Sequence, residues 1–501
     1  MALDDIRNER IKKLETLEKS GIDAYPAKIA AHRSIGEIVK KFLALARGKK
    51  KVVIVGRIMA KREHGGSTFC DLKDASGKIQ LFFKEDVLGD AYRLFSDTAD
   101  IGDFLEVEGK AFKTKRGEDT IEVASWRMLA KSLLPLPEKW HGLQDVEERF
   151  RKRYLDLLMN DEVRERFIFR SKITTALRGI IEKEGFQEFE TPILQPLAGG
   201  ALARPFKTHH NALDTELFLR IAPELYLKRL LVGGFEKAYE LGRIFRNEGI
   251  DATHNPEFSE LELYAAYWDE DDMMKFVERM MLGLLKAVFK KSEVSYQGQT
   301  IKMKAPFVRV TFRNLLKKYA LVADYDHETR DSLALTARRL GLDVGAHEGK
   351  GKIADEIYKK ICRSKIIEPT FVVEHPLDIS PLAKAKDGAK DTARRFQLIL
   401  GGMELMNGFA ELNDPQDQRA RFEEQMKMRP PSEAGRASPT VVGGGDEEAH
   451  PFDENFVEAL EYGMPPAAGL GIGIDRLVML LTDTKNVREV ILFPTLRPLR
   501  K

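Results

Sequence analysis

Leu3, Ile6, Arg10, Leu14 and Leu17 stand at helical spacing with charged residues between them, which predicts a short amphipathic helix over residues 1–19. Its polar side either faces solvent while the helix packs, or meets RNA. From Lys51 the period of the apolar positions drops to two, in KVVIVGRIM, STFCDLKD and KIQLFF. A helix over residues 86–97 follows, and then two more alternating runs, FLEVEGKAFKT and TIEVASW, joined by an RGED turn. Five strands, one helix and glycine-containing turns in so short a span predict a small Greek-key barrel of the OB type.

Two prolines in residues 131–149 mark a linker. After it, apolar residues recur every three or four positions from Arg149 to Gly185, which predicts a long helix closed by the glycine. The strand FQEFE comes next, shortly before Pro192. Residues 237–264 then read as strand, turn, strand. Glu240, Gly242, Ile244, Arg246 and Glu248 alternate with Tyr239, Leu241, Arg243, Phe245 and Asn247, and after the turn Phe258, Glu260, Glu262 and Tyr264 share one face. A face carrying Arg246, Glu248, Phe258 and Glu262 would be costly to bury unpaired, so it is expected to meet something charged and flat. Met273, Phe276, Met280, Leu284 and Val288 form one stripe of a helix over 269–291, expected as core. Residues 305–375 look like an insertion within the second domain, and 429–445, rich in Pro, Gly and Ser, like a disordered surface loop.

At 501 residues with 43% hydrophobic content, two or more well-packed domains are expected. Lys and Arg together number 81 against 79 Asp and Glu, so a nucleic-acid partner has to be met by local patches. Cys70 and Cys362 cannot build a disulfide framework or a cysteine metal site, which fits a reducing cytoplasm. The start of the chain, with Asp4, Asp5, Arg7 and Glu9, resembles neither a signal peptide nor a transit peptide, and no apolar run reaches the length of a membrane span. Neither GxxxxGK[ST] nor GxSxG occurs, so a phosphate-binding P-loop and a serine nucleophile elbow are not expected.

Three ordered stretches carry a resemblance. FRNEG followed by HNPEF resembles motif 2 of the class II aminoacyl-tRNA synthetases; residues 181–192, ending at Pro192, resemble motif 1; and GLGIGIDRLVML, Gly469–Leu480, resembles motif 3. This implies an α+β architecture: an N-terminal helix and OB-type anticodon-binding barrel over 1–130, the linker, and over 150–501 a catalytic domain with an antiparallel sheet flanked by helices. It also implies a homodimer joined through motif 1. The reaction implied is attack of an amino-acid carboxylate on the α-phosphorus of ATP, followed by transfer to tRNA, work that positioning and charge neutralisation can do without a protein nucleophile.

By the resemblance, Arg246 grips the α-phosphate and is catalytic together with Arg476. Phe258 and Arg476 sandwich adenine, Glu248 accepts from its amino group or orients Arg246, and His254 meets the outer phosphates. The stretches APELYLKRL, FSELELY, MNGFAELND and GGALARPFKTHHNALD are similar to those of lysyl-tRNA synthetases, and unlike the aspartyl and asparaginyl branches. In that branch Glu262 and Glu411 hold an ε-ammonium with Tyr264 beside them, Glu224 and the backbone near Gly200 take the α-amino group, and Asn407 serves the carboxylate. An amide or acid side chain would clash with two such acids, which weighs against an asparaginyl or aspartyl ligase. A retired paralogue that binds tRNA as a regulator is the remaining alternative. The family binds Mg²⁺ between two acidic positions seven residues apart. Here Glu404 fills one, but the other is Gln397, an oxygen donor without charge. In the barrel, Phe69, Gln80 and Arg62 match the residues that hold an anticodon base, although an aromatic at strand spacing is equally at home in a core. Expected partners are L-lysine, ATP, lysine tRNA and a second copy of the chain, with no membrane.

Overall fold

The computed structural model describes residues 2–137, 145–345, 348–428 and 451–499. They fall into two units, Met1–Gln144 and Asp145–Lys501.

In the first unit, strands Lys51–His64, Ser67–Lys73, Lys78–Lys84, Phe104–Lys113 and Asp119–Ala130 close into a barrel, the fifth lying between the third and the fourth. Alternation explains the closure. Ile54, Ile58, Cys70, Leu72, Ile79, Leu81, Phe83, Leu105, Val107, Ile121 and Val123 all point inward and are buried. The expected helix is two pieces, Glu85–Leu88 and Asp90–Thr98, parted by Gly89, whose φ of 56° breaks the helical path. Phe95 stacks on Phe83 with ring centres 3.8 Å apart and plugs the barrel. The N-terminal helix spans Leu3–Lys19. Arg10 belongs to its inner stripe because it is an anchor: the guanidinium donates to the carbonyls of Ser132, Leu134 and Ile101 at 2.9–3.1 Å. The inner face of this helix therefore packs, and its outer face is exposed.

The second unit departs from the expectation at its start. Residues 146–149, assigned above to the linker, already lie in helix Val146–Arg151, capped by the Asp145 carboxylate, which accepts from Glu147 N at 2.8 Å. Residues 138–144 and the 429–445 loop lie outside the described residues. The single long helix is three: Val146–Arg151, Arg153–Met159 and Asp161–Lys183. The chain bends at Lys152 and Asn160 so that Arg153, fully buried, can reach Asp156 and the carbonyls of Arg488 and Leu492. Gly185, with φ of 90°, ends the last helix as expected. The FQEFE strand is reduced to Gln187–Glu188.

An eight-stranded sheet organises this unit, in the order Val308–Thr311, Thr370–Val373, Arg395–Leu400, Met403–Ala410, Ala467–Gly473, Glu257–Ala266, Lys237–Phe245 and Gln187–Glu188. Only the outermost pair at each end is parallel. The first two strands belong to the span read as an insertion, so only the part between them is an elaboration. It is helical, with its own core around Phe312, Leu316, Leu333, Ile357 and Tyr358. One face of the main sheet is dry. Tyr239, Leu261, Leu263, Ala265, Leu470 and Ile472 meet helices Asp161–Lys183, Glu270–Phe289 and Ile474–Leu481, with Met273, Phe276, Met280 and Leu284 all buried there. The opposite face is charged. No helix among the described residues is long and apolar enough to cross a membrane.

Candidate active site

Strand alternation builds the charged face. Phe258, Glu260, Glu262 and Tyr264 point away from the core, and Glu260, Glu262 and Tyr264 pair across to Gly473, Gly471 and Gly469 on the neighbouring strand. Three alternate glycines leave that strand without side chains on this face. At Gly469 the reason is steric: a Cβ there would lie 2.0 Å from Glu411 Oε1 and 2.5 Å from the Tyr264 ring.

Arg246, Glu248, His254, Phe258 and Arg476, the five residues expected to meet ATP, line one cavity together with Asn255, Glu260, Glu404 and Asn407. Arg246 donates from Nε and Nη2 to the Ile221 carbonyl, each at 3.3 Å, and its guanidinium lies 5.0 Å from the centre of the Phe258 ring. Arg476 Nη2 donates to His254 Nε2 at 2.9 Å. Since arginine only donates, His254 carries its proton on Nδ1 and donates it to Asp251 at 2.8 Å. Glu248 sits exposed in the loop beyond the strand end. Glu260 was given no role by the sequence reading, yet its carboxylate is 3.5 Å from Arg246 and feels Arg476 as well. Burial pushes its carboxyl up, and the two arginines pull it back. Its place in the alternation between Phe258 and Glu262 was the available signal. Asp475, beside Arg476, accepts from Ser259 N and pairs with Arg170, which fixes the helix carrying Arg476.

Past Gly471 the face becomes fully buried. Tyr264 donates to Glu262 Oε2 at 2.9 Å, and Glu262 is 5% exposed with no basic group in contact among the described residues. Burial first, then the nearby Glu260 and Glu224, hold its carboxyl well above the usual carboxylate range. Glu224 and Glu411 differ from the expectation that they await substrate ammonium groups. Both are already engaged by Lys228, whose Nζ lies 2.6 Å from Glu224 Oε1 and 2.5 Å from Glu411 Oε2, the latter an ion pair without hydrogen-bond alignment. Lys228 is a site residue that the sequence reading missed, although its spacing of four from Glu224 placed both on one side of helix Glu224–Val232. Gly200, with φ of 91°, packs so closely that a Cβ would come within 3.0 Å of Glu224. Asn407 accepts from Arg395 Nε at 2.8 Å.

Comparison with known proteins gives the family. A profile of class II tRNA synthetases (D, K and N) matches residues 145–497, and one of OB-fold nucleic acid binding domains matches 52–129. The chain belongs to the class II tRNA synthetases. Relatives named Lysine--tRNA ligase include those of Carboxydothermus hydrogenoformans and Moorella thermoacetica, each 48% identical over 99% of both chains. That of Syntrophomonas wolfei is 46% identical over 99% of this chain and 98% of its own.

In this synthetase the two positions expected to bind Mg²⁺ do not make a metal cage. Glu404 lines the cavity and its carboxylate is 3.5 Å from Arg363. Gln397 is buried and turned aside, its Oε1 accepting from the Tyr358 hydroxyl at 3.1 Å. Among the described residues no group of three or more His, Cys, Asp or Glu gathers in metal-ligand geometry.

The synthetase's barrel carries Phe69 on its outer surface. Thr68 and Cys70 on either side fill the interior, and Phe69 is half-buried by stacking on Phe82, with ring centres 4.4 Å apart. Arg62 pairs across the strands with Phe69, is exposed, and lies 3.4 Å from Asp71. Gln80, half-buried on the next row, accepts from Thr120 Oγ1 at 2.9 Å. Phe82, with Lys84 poised 5.1 Å from its ring centre, belongs to this aromatic strip and was not singled out in KIQLFF.

Proposed function

We propose that the chain joins L-lysine to lysine tRNA through a lysyl-adenylate formed from ATP. The observation that carries this reading is Glu262, a buried carboxylate beside the nucleotide cavity whose one hydrogen-bond donor among the described residues is the Tyr264 hydroxyl. Such a group is costly in an empty protein and is matched by an incoming ammonium. The full-length likeness to proteins named Lysine--tRNA ligase supports the same choice.

In this reading Arg246 draws the substrate carboxylate and the α-phosphate together and spreads the charge that develops on phosphorus. Phe258 and Arg476 take adenine between them, and His254, now bonded to Arg476, turns to the outer phosphates. Glu248 reaches the adenine amino group, and Asn407 and Gly200 bound the amino acid. Mg²⁺ enters with the nucleotide as the MgATP substrate, because of the two positions expected to bind it Glu404 alone supplies a carboxylate to the cavity. Phe69, Phe82, Gln80 and Arg62 form a stacking strip for anticodon bases. The working form is a cytoplasmic homodimer, with residues 1–130 serving the anticodon and 150–501 the chemistry.

ATP–pyrophosphate exchange with each of the twenty amino acids tests the reading. Lysine alone should support exchange. Exchange with none would instead favour a tRNA-binding regulator, and exchange with aspartate or asparagine would overturn the role of Glu262.

A further inference from the structure

Lys228 occupies a position where burial normally selects an apolar side chain: it has no exposed side-chain surface, halfway along helix Glu224–Val232. Its ammonium is enclosed by the Glu224 and Glu411 carboxylates and by the rings of Phe409 and Phe456, whose centres lie 5.4 and 5.8 Å away. Beyond this shell Arg395 also acts on Glu224. Two carboxylates within 2.6 Å of one nitrogen are close enough to repel strongly, and without that nitrogen they would share a proton or swing apart.

Three carboxylates, Glu224, Glu262 and Glu411, converge on this end of the cleft, and Lys228 is the cation in contact with two of them. Fully ionised, the set carries two negative charges in excess. Free lysine brings two ammonium groups, whereas an amino acid with a neutral side chain brings one. Resting on the assignment of this cleft to lysine, we propose that Lys228 is a positioning and specificity-determining residue. It fixes Glu224 and Glu411 in place and supplies a permanent positive charge where a titrating proton would otherwise sit. Glu224 and Glu411 then keep a fixed cationic partner across the working pH range. Burial raises both carboxyls while Lys228 opposes the rise, which agrees with that role.

The test is pyrophosphate exchange by the full-length protein with Lys228→Met, Lys228→Arg and Glu262→Gln, read as separate KM values for lysine and ATP from pH 6 to pH 9. Lys228→Met should raise the lysine KM by at least about tenfold, because two buried acids lose their counter-ion, while the ATP KM stays within about twofold. Its lysine kcat/KM should show a pH-dependent limb beyond the one that Glu262 already gives the parent. Lys228→Arg keeps the charge but cannot seat a planar fork between the two acids, so the lysine KM should rise without the new limb. An unchanged lysine KM and pH profile in folded Lys228→Met overturns the proposal, as does an equal rise in both KM values. If Lys228→Met does not fold, an unchanged lysine KM in Lys228→Arg overturns it. Glu262→Gln separates the two levels. If it leaves the lysine KM unchanged, the assignment of the cleft fails. If it raises that KM and Lys228→Met does not, only the role of Lys228 fails.

Discussion

Replacing Glu262 by glutamine should make the empty protein more stable and the working enzyme much worse. The substitution keeps the shape and an oxygen that can still accept from Tyr264, now 2.9 Å away, and removes only the charge. In the lysine complex a charge-assisted hydrogen bond worth roughly 1.5–3 kcal/mol becomes a neutral one. The neutral bond still contributes about 0.5–1.5 kcal/mol, so about 1–1.5 kcal/mol is lost and, at about 1.4 kcal/mol per factor of ten, the lysine KM rises about five- to tenfold, more where the group is shielded from water. Stability moves the other way. The carboxyl is held well above its ordinary 4.5 by burial, by Glu260 and Glu224, with the Tyr264 hydroxyl and Arg246 only partly opposing them. Between the unfolded and the raised folded value the native chain retains a proton that the unfolded chain has released, so stability falls as pH rises through that window, by at most about 1.4 kcal/mol per pH unit. Glutamine has no proton to lose, so the variant escapes that decline. The same titration predicts that lysine binds the parent more tightly as pH rises, because the ammonium displaces the proton. Thermal unfolding of the substrate-free protein at pH 6 and pH 8.5, with exchange kinetics at the same pH values, checks all three statements. A variant less stable than the parent at pH 8.5, with the lysine KM unmoved, would refute the argument that this carboxylate is an unmatched charge awaiting substrate.

Phe69→Ala should weaken tRNA charging by the equivalent of about 1–3 kcal/mol of lost stacking while leaving pyrophosphate exchange intact; parallel loss of both would mean that the ring only supports the barrel. Gly469→Ala should abolish lysine-dependent exchange, since the new methyl would overlap Glu411 Oε1 and the Tyr264 ring, and normal kinetics in this variant would show that these groups are free to move aside. Gln397→Glu places a carboxylate against the Tyr358 hydroxyl and beside the nucleotide cavity, and should lower the Mg²⁺ concentration for half-maximal exchange; an unchanged Mg²⁺ titration would count against any metal role for this position.

The barrel was legible because a period of two with inward Ile, Leu and Val leaves little freedom in how five short strands can close. The hairpin around Arg246 was legible for the same reason, and its alternation separated Leu261 and Leu263 from Glu260 and Glu262 before any fold was known. What escaped depended on distance in the chain. Glu224 and Lys228 are one helical turn apart and could be paired locally, but Glu411 joins them from the end of a strand far along the chain, so the acids looked free when they were not. The bends at Lys152 and Asn160 were invisible because the apolar period runs through them, and they answer to carbonyls more than three hundred residues away. Gln397 was recognised as a departure, but its turn towards Tyr358 depends on how the helical elaboration docks on its own strands. The ends of that elaboration were misjudged because short parallel edge strands such as Val308–Thr311 carry almost no periodic signal.

Because Gly469, Gly471 and Gly473 present bare peptide to the cleft, its depth there is set by main-chain shape. Any single replacement at these points can only add bulk, which closes off one direction of change to a drifting sequence. A shift of substrate preference in such a protein has to travel through the walls, by exchanging acids, amides or the lysine that braces them, while the floor stays as it is.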